Sequence, residues 1–143
     1  MGDIKVEIYR DILLQIKRGN HKGKTINAKP LFLVTIIELI DNGTITSNRF
    51  PFDELLSKAF DAVQLKYNQQ PSPLYYPFYY LTTQKIWHHK YRLDSTKKTQ
   101  CPSAKFIREN IEYAYLDNAL WDLLQNPDTR NYLKEKIINA YLQ

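Results

Sequence analysis

Tyr75-Tyr76-Pro77-Phe78-Tyr79-Tyr80-Leu81 sets five aromatic rings around one proline, and Trp87-His88-His89-Lys90 follows in a stretch almost free of acid. Tyrosine offers a flat apolar face with a polar tip, proline a rigid ring without an N–H, and the neighbouring lysines a positive field. These residue types suit the binding of an anion that carries an apolar part better than they suit bond-making chemistry. The whole chain holds 11 Tyr against 6 Phe and 2 Trp, an excess that fits either a wet interface or a core with peripheral phenols.

Catalytic arrangements find little support. The histidines are His21, His88 and His89; the last two are adjacent, so on a strand they point to opposite faces and do not ligate one ion together. A nuclease of the ββα-metal kind needs a further histidine after its first, and none follows His89. Gly23-Lys24-Thr25 resembles the end of a phosphate-binding loop, but the first glycine of that motif is missing from its required position. Cys101 or a serine would have to supply any nucleophile, and no local signature surrounds them. The expectation is a non-enzymatic binding domain without catalytic residues, metal or cofactor.

The 143 residues, with 43% hydrophobic and 24% charged side chains, fit one domain spanning 1–143. A single cysteine excludes an intrachain disulfide and a cysteine-based zinc site, which implies an intracellular location. No signal peptide is evident at the start. The longest apolar stretch, 31–40, contains Thr35 and Glu38 and is too short to cross a bilayer.

The net charge of +5 is unevenly spread. Residues 62–108 carry eight Lys or Arg against one acid, Asp94, and residues 17–37 carry five bases and no acid. Residues 109–143 reverse this, with six acids against three bases. Such segregation predicts a one-sided positive surface, the electrostatic footprint of nucleic-acid binding.

Periodicity predicts the elements that must position these groups. Helical spacing covers 4–17, with Gly19 as a stop. Lys29-Pro30 opens a helix that is apolar nearly all round and ends at Asn42-Gly43. Residues 44–46 read as a short extended piece, and Pro51-Phe52-Asp53-Glu54 as the capped start of a helix to about Tyr67. After a proline-rich loop, 75–92 reads as a β-hairpin with its turn near Thr83-Gln84-Lys85. Residues 94–102 read as an exposed basic loop, and Ser103 as the cap of a helix through Tyr115. A short helix starts near Asn118, and the last runs from Asp128 through Leu142. The predicted class is mainly α with a small β-hairpin (α+β), a helical DNA-binding domain with a winged-helix-like ribbon.

Ala28-Lys29-Pro30 at the start of an apolar helix, then Tyr76-Pro77-Phe78-Tyr79-Tyr80-Leu81 beginning 46 residues after Pro30, then Ile86-Trp87, resembles the sulfur-binding domain of McrA-like, phosphorothioate-dependent restriction enzymes. In that family a His/Arg/Lys-Pro element starts the long helix, and a Tyr-Pro-Phe-Trp-X-Leu strand pairs with a strand carrying a Trp. The resemblance is carried by residues 24–90. This chain departs from it at Ala28, where some members have a polar residue or histidine, and at Tyr79, where Trp is usual.

The resemblance implies a bacterial, cytoplasmic domain that binds duplex DNA in which sulfur replaces one non-bridging phosphate oxygen. The nuclease would be a separate domain or subunit. By the same resemblance Tyr76 and Pro77 form the apolar wall of the sulfur pocket, Lys29 supplies charge, and Tyr80 and Lys105 complete it. Such a pocket is physically reasonable, because sulfur is larger and a weaker hydrogen-bond acceptor than oxygen and loses less on meeting an apolar wall. Around it, Lys22, Lys24, Lys85, His88, His89, Lys90 and Arg92 are candidate phosphate contacts, which position a duplex and make binding salt-dependent. Gln100, Ser103 and Lys105 are candidates for base edges. Two other functions fit the residues: a helix-turn-helix binder of unmodified DNA, and a protein-interaction module using the tyrosine-rich face.

Overall fold

The computed structural model describes residues 3–67, 69, 71–95 and 102–143. At its centre lies α2 (Ala28–Asp41), in which every residue from Ala28 to Ile40 except Glu38 is buried. Pro30 is its third residue, where a missing N–H costs no helical hydrogen bond. A helix apolar on every side must be enclosed. Enclosure comes from α3 (Glu54–Lys66), α4 (Tyr75–Tyr80) and α7 (Pro127–Tyr141). α1 (Ile4–Leu13) packs in turn on α7 and on α6 (Asn118–Leu123).

Side-chain caps set several boundaries. Asp3 accepts from the Lys5 N–H, Asp53 from Leu56, Ser103 from Phe106, and Asn126 from Asp128 and Thr129. α1 stops at Leu13 rather than 17, and residues 44–46 form no strand. Next comes an unexpected hairpin, β1 (Gly19–His21) with β2 (Lys24–Ile26), paired antiparallel with His21 opposite Lys24. Its two-residue loop has φ of 52° at Lys22 and 80° at Gly23, the pair of positive values that a tight hairpin turn demands.

The expected hairpin over 75–92 is not present. Residues 75–80 form α4, 81–84 a 3-10 turn, and only β3 (Trp87–Tyr91) is a strand. The buried residues Leu74, Pro77, Phe78 and Leu81 recur at helical spacing, and together they face the core. Strand geometry would have split Phe78 from Leu81 onto opposite faces. Pro77 takes the third helical position, where its lack of an N–H is harmless.

β3 pairs instead with β4 (Ile111–Leu116), Trp87 opposite Leu116, with an irregularity at Lys90/Tyr91. α5 (Ala104–Asn110) therefore ends well before Tyr115. Ile111, Ala114 and Leu116 are buried while Glu112 is exposed, so strand-like burial along one face of β4 prevails over continued helix. Among the described residues the fold is mainly helical with two small antiparallel sheets, an α+β class.

Candidate nucleic-acid interface

Position in the site begins in the core. Phe32 lies edge-on to Trp87 at 5.3 Å and to Phe60 at 5.9 Å between ring centroids, and Phe78 packs edge-on to Trp87 at 5.6 Å. The Phe78 carbonyl accepts from the Trp87 indole N–H and from His89 Nε2–H, each at 2.8 Å. Both lone pairs of that carbonyl are thereby engaged. Since Phe78 follows Pro77, the ring and carbonyl that anchor α4 in the core also set the direction of the Tyr76-Pro77 step.

His89 is held for this task. Its ring stacks on Phe78 at 5.7 Å and approaches Tyr79 at 5.5 Å. Burial, opposed by the bond to Phe78 and aided by nearby His88, holds its pKa below the ordinary histidine value. A neutral ring with its proton on Nε2 meets the geometry. His88 bonds through Nε2 to Asp117, whose other oxygen accepts from Tyr9 at 2.9 Å. Both histidines expected at phosphates thus have their Nε2 atoms engaged inside the fold.

Tyr76 and Tyr80, one helical turn apart on α4, lie 5.1 Å apart and are partly exposed, with the Pro77 ring buried beside them. Lys29, second residue of α2, is only 7% exposed. Its ammonium donates to the Lys17 carbonyl and to Thr83 Oγ1, each at 3.0 Å. No carboxylate forms an ion pair with it among the described residues. Burial, and then the like charge of Lys17, holds its pKa below 10.5. The side chain of Asn27 does not cap α2; it accepts from Arg18 and donates to Gln69. An unneutralised cation in the first turn of an uncapped helix sits at the positive end of the helix dipole, an arrangement that favours an incoming anion.

Residues 17–19 join the cation to the wall. Lys17 binds Lys29 through its carbonyl and Gln84 Oε1 through its N–H at 3.0 Å, and Gly19 lies against the Tyr76 hydroxyl. Thr83, Gln84 and Gly19 were not foreseen from sequence. The first two read as a strand turn and the glycine as a helix stop, so the one available signal was the helical spacing of Leu74, Pro77, Phe78 and Leu81.

The remaining candidates lie on several elements. Lys22 lies in the tight turn between β1 and β2 and Lys24 opens β2, Lys85 follows the 3-10 turn with φ of 62°, Lys90 is on β3 and Arg92 just after it; all five are exposed. Lys105 is exposed on α5, next to Phe106, whose ring meets Tyr79 at 6.2 Å. The Ser103 hydroxyl oxygen serves as the cap of α5. Gln100 lies outside the described residues. Among those residues no cluster of His, Cys, Asp and Glu fits a metal ion, and no helix is long and apolar enough to cross a membrane.

No protein-family model matches the chain, and no curated protein sequence does. Solved structures do. The sulfur binding domain and SRA domain of ScoMcrA, complexed with phosphorothioated DNA, matches at a TM-score of 0.75 and 16% identity over 93% of this chain and 42% of that one. The sulfur binding domain of ScoMcrA, likewise complexed with phosphorothioated DNA, matches at a TM-score of 0.71 and 15% identity over 93% and 86%. The present chain thus spans less than half the length of the first, and it has the fold of these sulfur-binding domains.

Proposed function

We propose that this chain binds duplex DNA carrying a phosphorothioate, with the sulfur against Tyr76, Pro77 and Tyr80 and the phosphate charge facing Lys29. The observation that carries this reading is the buried Lys29 ammonium, without a carboxylate partner among the described residues. Burying an uncompensated cation costs stability, a cost that an anionic ligand offsets. The partly exposed tyrosine rings and the proline beside them supply the apolar contact that a phosphate oxygen would resist and a sulfur tolerates.

Around the pocket, Lys22, Lys24, Lys85, Lys90 and Arg92 hold flanking phosphates, while Ser103 and Lys105 at the start of α5 are the groups for base edges. His88 and His89 contribute by holding β3 and α4 in place. The fold shared with domains complexed with phosphorothioated DNA supports the same ligand here. In this reading the chain is a non-catalytic specificity module of a bacterial, cytoplasmic modification-dependent restriction system, and cleavage belongs to another domain or subunit.

The test is a gel shift with one duplex, with and without a single stereodefined phosphorothioate, at two salt concentrations. Tighter binding of the modified duplex is expected at both. Equal affinity for the two duplexes would sink the proposal.

A further inference from the structure

We infer that Thr83 is the positioning residue of the pocket cation: its hydroxyl fixes the Lys29 ammonium and leaves one N–H of that group for the ligand. This rests on the phosphorothioate reading above for its functional part and on the geometry alone for its structural part.

An ammonium has three N–H donors and no acceptor. Two of those on Lys29 are used, by the Lys17 carbonyl and by Thr83 Oγ1. The Thr83 hydroxyl in turn donates to the Tyr80 carbonyl at 2.9 Å, which orients its lone pairs towards Lys29. Gln84 stabilises the other support: its Oε1 accepts from the Lys17 N–H at 3.0 Å and its Nε2 donates to the Gln15 carbonyl at 3.4 Å. The cation is therefore suspended between the 3-10 turn that follows α4 and the segment leading to β1.

Both acceptors are neutral. A carboxylate in either place would neutralise the charge and compete with the ligand, whereas a hydroxyl and a carbonyl hold the group while leaving its charge available. Of the groups packed about it, the 3-10 turn offers neutral Thr83 and Gln84, α4 the Tyr80 carbonyl, and the segment before β1 the like charge of Lys17. Lysine is flexible and loses much rotamer freedom on ordering, so a group that orders it beforehand improves ligand affinity.

Two measurements on the full chain decide the matter. The first is affinity for one duplex with and without a single phosphorothioate, for wild type, Thr83→Val and Thr83→Ser. Thr83→Val is expected to weaken binding of the modified duplex about tenfold, weaken the unmodified duplex less, and be rescued by Thr83→Ser. The second, without DNA, follows the Lys29 εCH2 resonance through a pH titration. Losing the hydroxyl removes a partner of the charged form, so Lys29 should release its proton at lower pH in Thr83→Val and recover in Thr83→Ser. An unmoved titration overturns the positioning role whatever the duplexes show. Equal weakening of both duplexes with a lowered melting temperature overturns it too, because that is the mark of a purely structural residue. If wild type fails to distinguish the duplexes, the phosphorothioate reading falls, and the titration still decides what Thr83 does.

Discussion

Gly19 of the β1–β2 hairpin lies against Tyr76 of α4: a Cβ on Gly19 would lie 2.8 Å from the Tyr76 hydroxyl oxygen. The hairpin closes on Tyr76 because Gly19 has no side chain. Gly19→Ala should therefore push the phenol or the hairpin aside and lower the preference for sulfur, with only a small loss of stability because the atom displaced is the tip of a partly exposed side chain. Thermal melts and paired binding measurements check both effects.

Tyr76→Ala and Pro77→Ala should reduce discrimination between modified and unmodified duplexes, the first by removing a partly exposed ring of the proposed wall and the second by removing the buried ring next to it in α4. Lys90→Ala, on β3 and outside the proposed wall, should weaken both duplexes alike and reduce the salt slope by about one. If Pro77→Ala leaves the preference unchanged, the wall is wrongly placed.

The lowered pKa of Lys29 separates binding from stability. Between that lowered value and 10.5 the unfolded chain holds the lysine proton more tightly than the folded one, so stability should rise with pH across this window. Affinity for the modified duplex should fall across the same window as the ammonium is lost. Opposite slopes are the expected signature, read from melting temperature and binding isotherms over a shared pH series; parallel slopes would argue against Lys29 as the pocket charge.

On α1, the Tyr9 phenol is pushed up to about 12, first by burial and then by its hydrogen bond and proximity to Asp117. The folded state holds this proton more firmly, so its stabilising contribution is complete below 10.0 and is lost as pH rises through about 12. Tyr9→Phe should lower stability at neutral pH and flatten the alkaline decline. Urea unfolding across that range measures both.

Trp87→Phe keeps a ring in the core but abandons a donor to the Phe78 carbonyl. Because that carbonyl retains His89, the loss should be about 1 kcal/mol from the hydrogen bond, with a further cost from lost volume. Sulfur preference should decline in step as α4 loosens.

The sequence alone revealed α2 and its proline-led start, the capped helix at Glu54, the short helix at Asn118 and the final helix, because caps, prolines and long apolar periods act locally. It also marked Lys29, Tyr76 and Pro77 by resemblance and the basic middle of the chain by composition. Residues 75–81 were harder: their aromatic content signals a strand, while the burial of Leu74, Pro77, Phe78 and Leu81 is helical, and only the shape of the Phe32 core decides between them. Residues 111–116 depend likewise on β3 being there to pair with. Tertiary structure also decided that His88 bonds to Asp117 and His89 to the Phe78 carbonyl, that Lys29 is buried between Lys17 and Thr83, and that Gly19 reaches Tyr76. These contacts join residues far apart in the chain through partners chosen by packing, and no local propensity encodes such a choice.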